Sequence, residues 1–165
     1  MPSTRPRIQY NKEGVCNACQ WAEEKKSIDW SIRWKKLEAL CEKYRSRNKG
    51  KFDVIVPYSG GKNGAYIAYI LKHELGMNPL CITIRPPMED KIGLKNIKNF
   101  QDLGYDHLFV TPNRQILKEI DKENFIEKGI PMHAFMITVQ TAILRCAQNF
   151  DIPFVMYAEE GETEY

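Results

Sequence analysis

Asp53-Val54-Ile55-Val56-Pro57-Tyr58-Ser59-Gly60-Gly61-Lys62 is the stretch that decides how this chain folds. An apolar, β-branched run feeds a Ser/Gly turn, and a helical period follows at once. Ile67, Ile70, Leu71 and Leu75 share one face from about Asn63 to Leu75, and Gly76 is placed to end the helix. Glycines let the backbone turn tightly and come close to an anion. The exposed N–H groups and the positive end of the helix dipole then face the negative charge. Lys62 adds a mobile cation at the same point. Two familiar phosphate loops are excluded by spacing. There is no Gly four residues ahead of a Gly-Lys-Ser/Thr, and the glycines at 60, 61 and 64 do not follow G-x-G-x-x-G. A plain glycine turn is the alternative, and the strand–loop–helix order favours phosphate binding over it.

Outward from this loop the chain alternates strand and helix from Lys51 onward. The expected strands after the first are Pro79–Arg85, His107–Thr111 and Pro153–Ala158. The expected helices cover about Lys91–Leu103, Arg114–Lys128 and Met132–Phe150. That alternation predicts an α/β fold, a parallel sheet with helices on both faces. Met136, Val139, Ile143, Cys146, Ala147 and Phe150 keep helical spacing and read as core. Ligands of open α/β sheets bind beyond the carboxyl ends of the strands. That rim gathers Ser59–Gly64, Thr83, Ile84, Arg85, Thr111–Asn113 and the acidic run Glu159–Glu162. A phosphate loop and an acidic loop on one rim suit ATP with Mg²⁺, with Glu159 as a candidate Mg²⁺ ligand; a solvated acidic segment is the alternative.

With 165 residues, 43% of them hydrophobic and 27% charged, the chain suits one core plus an appendage. No apolar run reaches the roughly 18 residues of a membrane span, and the residues after Met1 lack the apolar core of a secretory signal. Five cysteines without framework spacing point to a reducing, cytoplasmic setting. Charge divides the chain. Residues 1–52 hold 13 Lys/Arg against six Asp/Glu, a balance of +7, and the remainder hold 11 against 15, a balance of −4. The expected organisation is a basic segment over 1–50 and a nucleotide-binding domain over 51–165, joined near Lys49-Gly50-Lys51.

In the basic segment Cys16-Asn17-Ala18-Cys19 is either half of a zinc site or a redox pair. Zinc needs four ligands, and Cys16 and Cys19 supply two. Cys41 is a third candidate, yet it falls on the stripe Trp30, Trp34, Leu37, Cys41, Tyr44 of the next helix, where core packing is the commoner role. Asp29 is that helix's expected N-cap. Base stacking by the tryptophans amid Arg33, Lys35 and Lys36 is the alternative to packing.

The Ser59–Gly64 loop resembles the PP-loop of the ATP pyrophosphatases, S-G-G-x-D-S, whose fold is adenine nucleotide alpha hydrolase-like; Asn63 stands at its Asp position and Gly64 at the following Ser. Longer segments extend the likeness. Thr4–Ile8, Glu13–Cys19, Ile28–Trp30, Pro57–Lys62, His73–Leu80 and Tyr157–Tyr165 are similar to the N-acetyl sugar amidotransferase family of lipopolysaccharide and pseudaminic acid (flagellin glycan) biosynthesis.

That resemblance implies an enzyme that converts a sugar N-acetyl group to an acetamidino group. ATP adenylates the amide oxygen with loss of pyrophosphate, and ammonia displaces AMP. Ser59, Gly60, Gly61, Lys62, Asn63, Gly64, Thr83, Ile84 and Arg85 would hold ATP, with Lys62 as the catalytic charge on the pyrophosphate. Ammonia would come from a partner like the glutaminase subunit of imidazole glycerol phosphate synthase, with a cyclase-like companion. The family's upstream CxxC and its carboxyl-terminal part have no counterpart in these residues, so the likeness implies an amino-terminal portion. Asn63 lacks the charge of the family Asp, which implies reduced catalysis. A tRNA-modifying PP-loop enzyme and a non-catalytic scaffold for the glutaminase are the competing readings; nucleic acid is otherwise not an expected partner.

Overall fold

A computed structural model describes residues 2–45 and 50–159. Arg47, Lys49 and Glu160–Tyr165 of the segments named above lie outside the described residues. The chain forms two units, a smaller one ending at Leu40 and a larger one, Cys41–Ala158.

In the smaller unit Asn11 organises a tight turn, its side-chain oxygen accepting from the Glu13 and Val15 N–H groups. Gly14, at φ +78°, completes the turn, and Tyr10 and Cys16 meet in an antiparallel bridge. Helix α1 (Asn17–Glu24) starts at once, with Cys16 as its N-cap. Helix α2 (Trp30–Tyr44) begins as expected, the Asp29 carboxylate accepting from Ser31 and Ile32 N–H. Its stripe is not buried throughout, because Trp30 is 63% exposed while Cys41 is fully enclosed.

The larger unit is an α/β domain built on a parallel sheet. Strand β1 (Val54–Pro57) pairs with β2 (Pro79–Ile84), and β2 with β3 (Asp106–Val110), in the order β1-β2-β3. Every residue of β2 is buried, as a central parallel strand covered on both faces requires. Register places Ile55 beside Leu80, Val56 beside Cys81, and Cys81 beside His107, so alternate residues face opposite layers. On one face Ile55, Leu80, Ile82 and Ile84 pack on Ile143 of helix α6 (His133–Asn149) and on Ile152. On the other lie helix α3 (Lys62–Tyr69) and a stack of rings, Tyr58 on Phe100 and Phe100 on Tyr105. Phe100 belongs to helix α4 (Lys91–Asp102); helix α5 (Arg114–Lys128) packs against α6. Asp90 and Asn113 cap α4 and α5 with their side chains, and Gly129 ends α5 in the left-handed conformation that glycine adopts cheaply.

Two elements differ from expectation. The helix after the loop keeps regular geometry only to Tyr69. Ile70–Glu74 widens into a π-type turn, closed by the Leu75 N–H donating to the Ile70 carbonyl at 2.9 Å. Arg45 holds that end, donating to the carbonyls of Leu75 (2.7 Å) and Gly76. The fourth strand, Pro153–Ala158, is a single parallel bridge between Ile55 and Val155. Among the described residues it pairs on one side alone, through the Ile55 bonds to Phe154 and Met156, both 2.9 Å.

Candidate functional site

The Val155 bridge puts β1 in the interior of the sheet, with β2 and β3 to one side and the returning chain to the other. Strand order therefore reverses at β1, and the crevice past its carboxyl end is the topological switch point where open α/β sheets bind ligands. Ser59–Lys62 occupies that position.

The exit of β1 is fixed on both sides of Tyr58. Its N–H donates to the Ile82 carbonyl at 2.9 Å, and its carbonyl accepts from the Thr83 hydroxyl. The chain then turns at Gly60, φ +87°, a value only glycine takes without strain. A Cβ on Gly60 would lie 2.5 Å from the Gly93 carbonyl oxygen, so the loop sits against α4 with no room for a side chain. Gly61 is the N-cap of α3 and provides no side-chain acceptor. The first N–H groups of α3 are thus left for solvent or a ligand, whereas Asp29, Asp90 and Asn113 serve α2, α4 and α5. Ser59, Gly61, Lys62 and Asn63 are all exposed, and Lys62 makes no ion pair among the described residues.

Beside the loop lies a cavity of about 200 Å³, lined by Ser59, Thr83, Ile84, Met88, Phe109 and Phe135 among others. Its wall is mostly apolar, with Ser59, Thr83, Glu89 and Asp90 as its polar side chains. A larger open groove lined by Leu144, Arg145 and Val155 is on the α6 side, away from the loop.

Of the sequence-predicted nucleotide residues, Ser59, Thr83 and Ile84 share this cavity, and Gly60, Gly61, Lys62 and Asn63 form the loop and helix start. Gly64 is buried beneath them, where a Cβ would meet Tyr58 Cδ2 at 2.9 Å. The Thr83 hydroxyl is committed, bonded to the Tyr58 carbonyl and 2.7 Å from His107 Nε2. Arg85 is committed as well, paired with Glu89 at 2.5 Å and stacked over Phe109. Burial pushes His107 down to about 4, so the ring is neutral at physiological pH, and its Nδ1 has no partner.

No group of three or more His, Cys, Asp or Glu able to hold a metal occurs among the described residues. The two carboxylates that line the cavity with Ser59 are both engaged, Glu89 with Arg85 and Asp90 with the Gly93 N–H of α4. Glu159 falls outside the larger unit. Among the described residues these carboxylates do not assemble a Mg²⁺ site. Cys16 and Cys19 remain a pair: the Cys19 N–H and thiol lower the Cys16 pKa, and the same contact raises that of Cys19. The pair begins a helix, as a redox CxxC does, but follows a one-bridge hairpin in place of a βαβ strand.

Sequence reasoning missed the partners of the loop on α4. Gly93 and Asn96 stand three residues apart on one helical face, and Asn96 Nδ2 donates to the Gly60 carbonyl at 2.9 Å. Nothing in the local sequence announces this, because the contact joins positions 36 residues apart.

The sequence matches no protein-family model and no curated protein. Among solved structures it is similar to a predicted subunit of tRNA methyltransferase from Methanocaldococcus jannaschii, with a TM-score of 0.46 and 23% identity. The match covers 66% of this chain and 53% of that one, so the chain spans about half of its neighbour. A likeness this slight carries no function, and the fold stands on the strand order above. Among the described residues no helix is long and apolar enough to cross a membrane.

Proposed function

We propose that the larger unit binds ATP and serves an AMP-forming reaction of the PP-loop type. One observation carries the reading: an uncapped helix N-terminus behind a left-handed Gly60, at the switch point of the sheet and beside a mostly apolar cavity. The α3 N–H groups and Lys62 would take the phosphates, and the cavity the base. Attack of an acceptor oxygen on the α-phosphorus of ATP breaks the bond to the β-phosphate, and it needs a departing pyrophosphate whose charge is held in place. Backbone donors and one lysine supply that without a nucleophilic side chain.

For the acceptor, the resemblance across Glu13–Cys19, Pro57–Lys62 and His73–Leu80 supports a sugar N-acetyl group, amidinated by ammonia from a glutaminase partner. An amide carbon is a poor electrophile, and adenylation of its oxygen creates the leaving group that ammonia displaces. The test is ATP-dependent AMP and pyrophosphate release with an N-acetylated nucleotide sugar or nonulosonate and ammonia. Release that depends on the sugar is expected; release unchanged by every N-acetyl sugar tried would overturn the acceptor, and absence of ATP binding would overturn the whole reading.

A second reading, a tRNA-modifying enzyme with the same ATP site, is favoured by α2. Trp30 is largely exposed there, beside exposed Arg33, Lys35 and Lys36. It predicts tRNA binding that weakens steeply with salt, and salt-insensitive or absent binding would sink it.

A further inference from the structure

We infer that Asn96 is a positioning residue for the phosphate loop, holding the Gly60–Gly61 peptide in the one orientation that presents a donor to an anion. The inference rests on the nucleotide reading above for its purpose, and on the loop geometry for its content. The acceptor at Gly60 is a carbonyl, so the Asn96 atom facing it is the amide NH₂, 2.9 Å away. No cis peptide bond occurs among the described residues, and in a trans peptide the C=O and N–H point in opposite directions. Pinning the Gly60 carbonyl toward α4 therefore turns the Gly61 N–H away from α4, to the exposed side of the loop where Lys62 also lies.

This peptide is the one in the loop that most needs such a hold. It is flanked by two glycines, and glycine accepts both signs of φ, so a flip meets little steric resistance. A flipped peptide would aim its carbonyl at the anion and repel it. Gly93 completes the clamp from the same helical face. Its backbone lies so close to Gly60 that no side chain fits between the loop and α4. Asp90 in turn fixes the first turn of α4 by accepting from the Gly93 N–H at 2.9 Å.

The test compares wild-type protein with Asn96→Leu, which keeps the shape, loses the donor and favours the helix, and with Asn96→Ala. In the ligand-free protein the Gly61 amide is expected as one sharp NMR resonance in the wild type and as a broadened or doubled one in both variants. Affinity for pyrophosphate and for ATP is expected to fall by roughly fivefold to tenfold, the range of one lost hydrogen bond. The melting temperature of Asn96→Leu is expected to fall slightly, because the Gly60 carbonyl loses its donor, and the positioning role is read from the Gly61 resonance in the folded protein. Asn96→Gln, which keeps the donor, should recover part of the affinity. A single sharp Gly61 resonance in both variants overturns the inference whatever the nucleotides do. If the wild type binds neither ATP nor pyrophosphate, the nucleotide reading fails, and doubling of Gly61 still supports the clamp.

Discussion

Asn63 sits exposed in the first turn of α3, where the resembling loops carry Asp. A carboxylate there also suits the positive end of the helix, so Asn63→Asp is expected to leave the melting temperature unchanged or slightly raised. By ordering the neighbouring Lys62 toward the phosphates, the carboxylate is expected to raise AMP release by about tenfold. Absence of AMP in both proteins would favour the scaffold reading. The neighbouring departure has a steric cause. Gly64 lies against the buried Tyr58 ring, so Gly64→Ser should destabilise the domain by about 1–3 kcal/mol, as overpacking does. Tyr58→Leu in that background should recover part of the loss in a thermal melt. His107 gives a pH signature. Its folded pKa, about 4, lies below its ordinary 6.5, so the unfolded chain binds the proton more readily. Its share of stability is intact above pH 6.5 and is lost as pH falls toward 4. His107→Gln should flatten that part of a denaturant-midpoint profile, and an unchanged slope would contradict the assignment.

Among the elements, strands and helices were legible where periodicity is strong. β2, α4, α5 and α6 fall within a residue or two of expectation. The α6 stripe is core only in part, because Ile143 is enclosed against the sheet while Met136 and Phe150, expected there too, are 59% and 49% exposed. The π-type turn was not legible, since Ile70–Glu74 keeps a helical apolar pattern and its end is held by a residue distant in the chain. That holder is Arg45, 30 residues upstream of Leu75, and no local pattern reports it. Arg45→Ala should cost about 1–2 kcal/mol in chemical unfolding, because carbonyls at a helix end lose charged donors. An effect within 0.3 kcal/mol or so would mean that water replaces the guanidinium freely. The loop itself was legible from Ser59–Lys62, but its clamp on α4 was not, for the same reason of distance in the chain.

For the whole molecule, the thiols map which layers are closed. Burial pushes Cys81 up to about 12 in the centre of the sheet, and Cys41, fully enclosed, is raised by burial too, while Cys19 is exposed beside Cys16. Iodoacetamide followed by mass spectrometry should label the Cys16–Cys19 turn first, and Cys81 only under unfolding conditions. Early labelling of Cys81 would show that the larger unit opens in its native state.

The bridge between Ile55 and Val155 also sets an order of events during synthesis. β1 meets β2 after about 25 residues, but its other edge waits for a partner a hundred residues downstream. A ribosome that has made the loop, the cavity wall and α4 has therefore not yet delivered the segment that locks β1 from behind. Until Phe154 and Met156 emerge, the nascent chain carries the Ser59–Lys62 loop on a strand with one open side, and arrival of those few residues is the moment at which the loop's base becomes fixed.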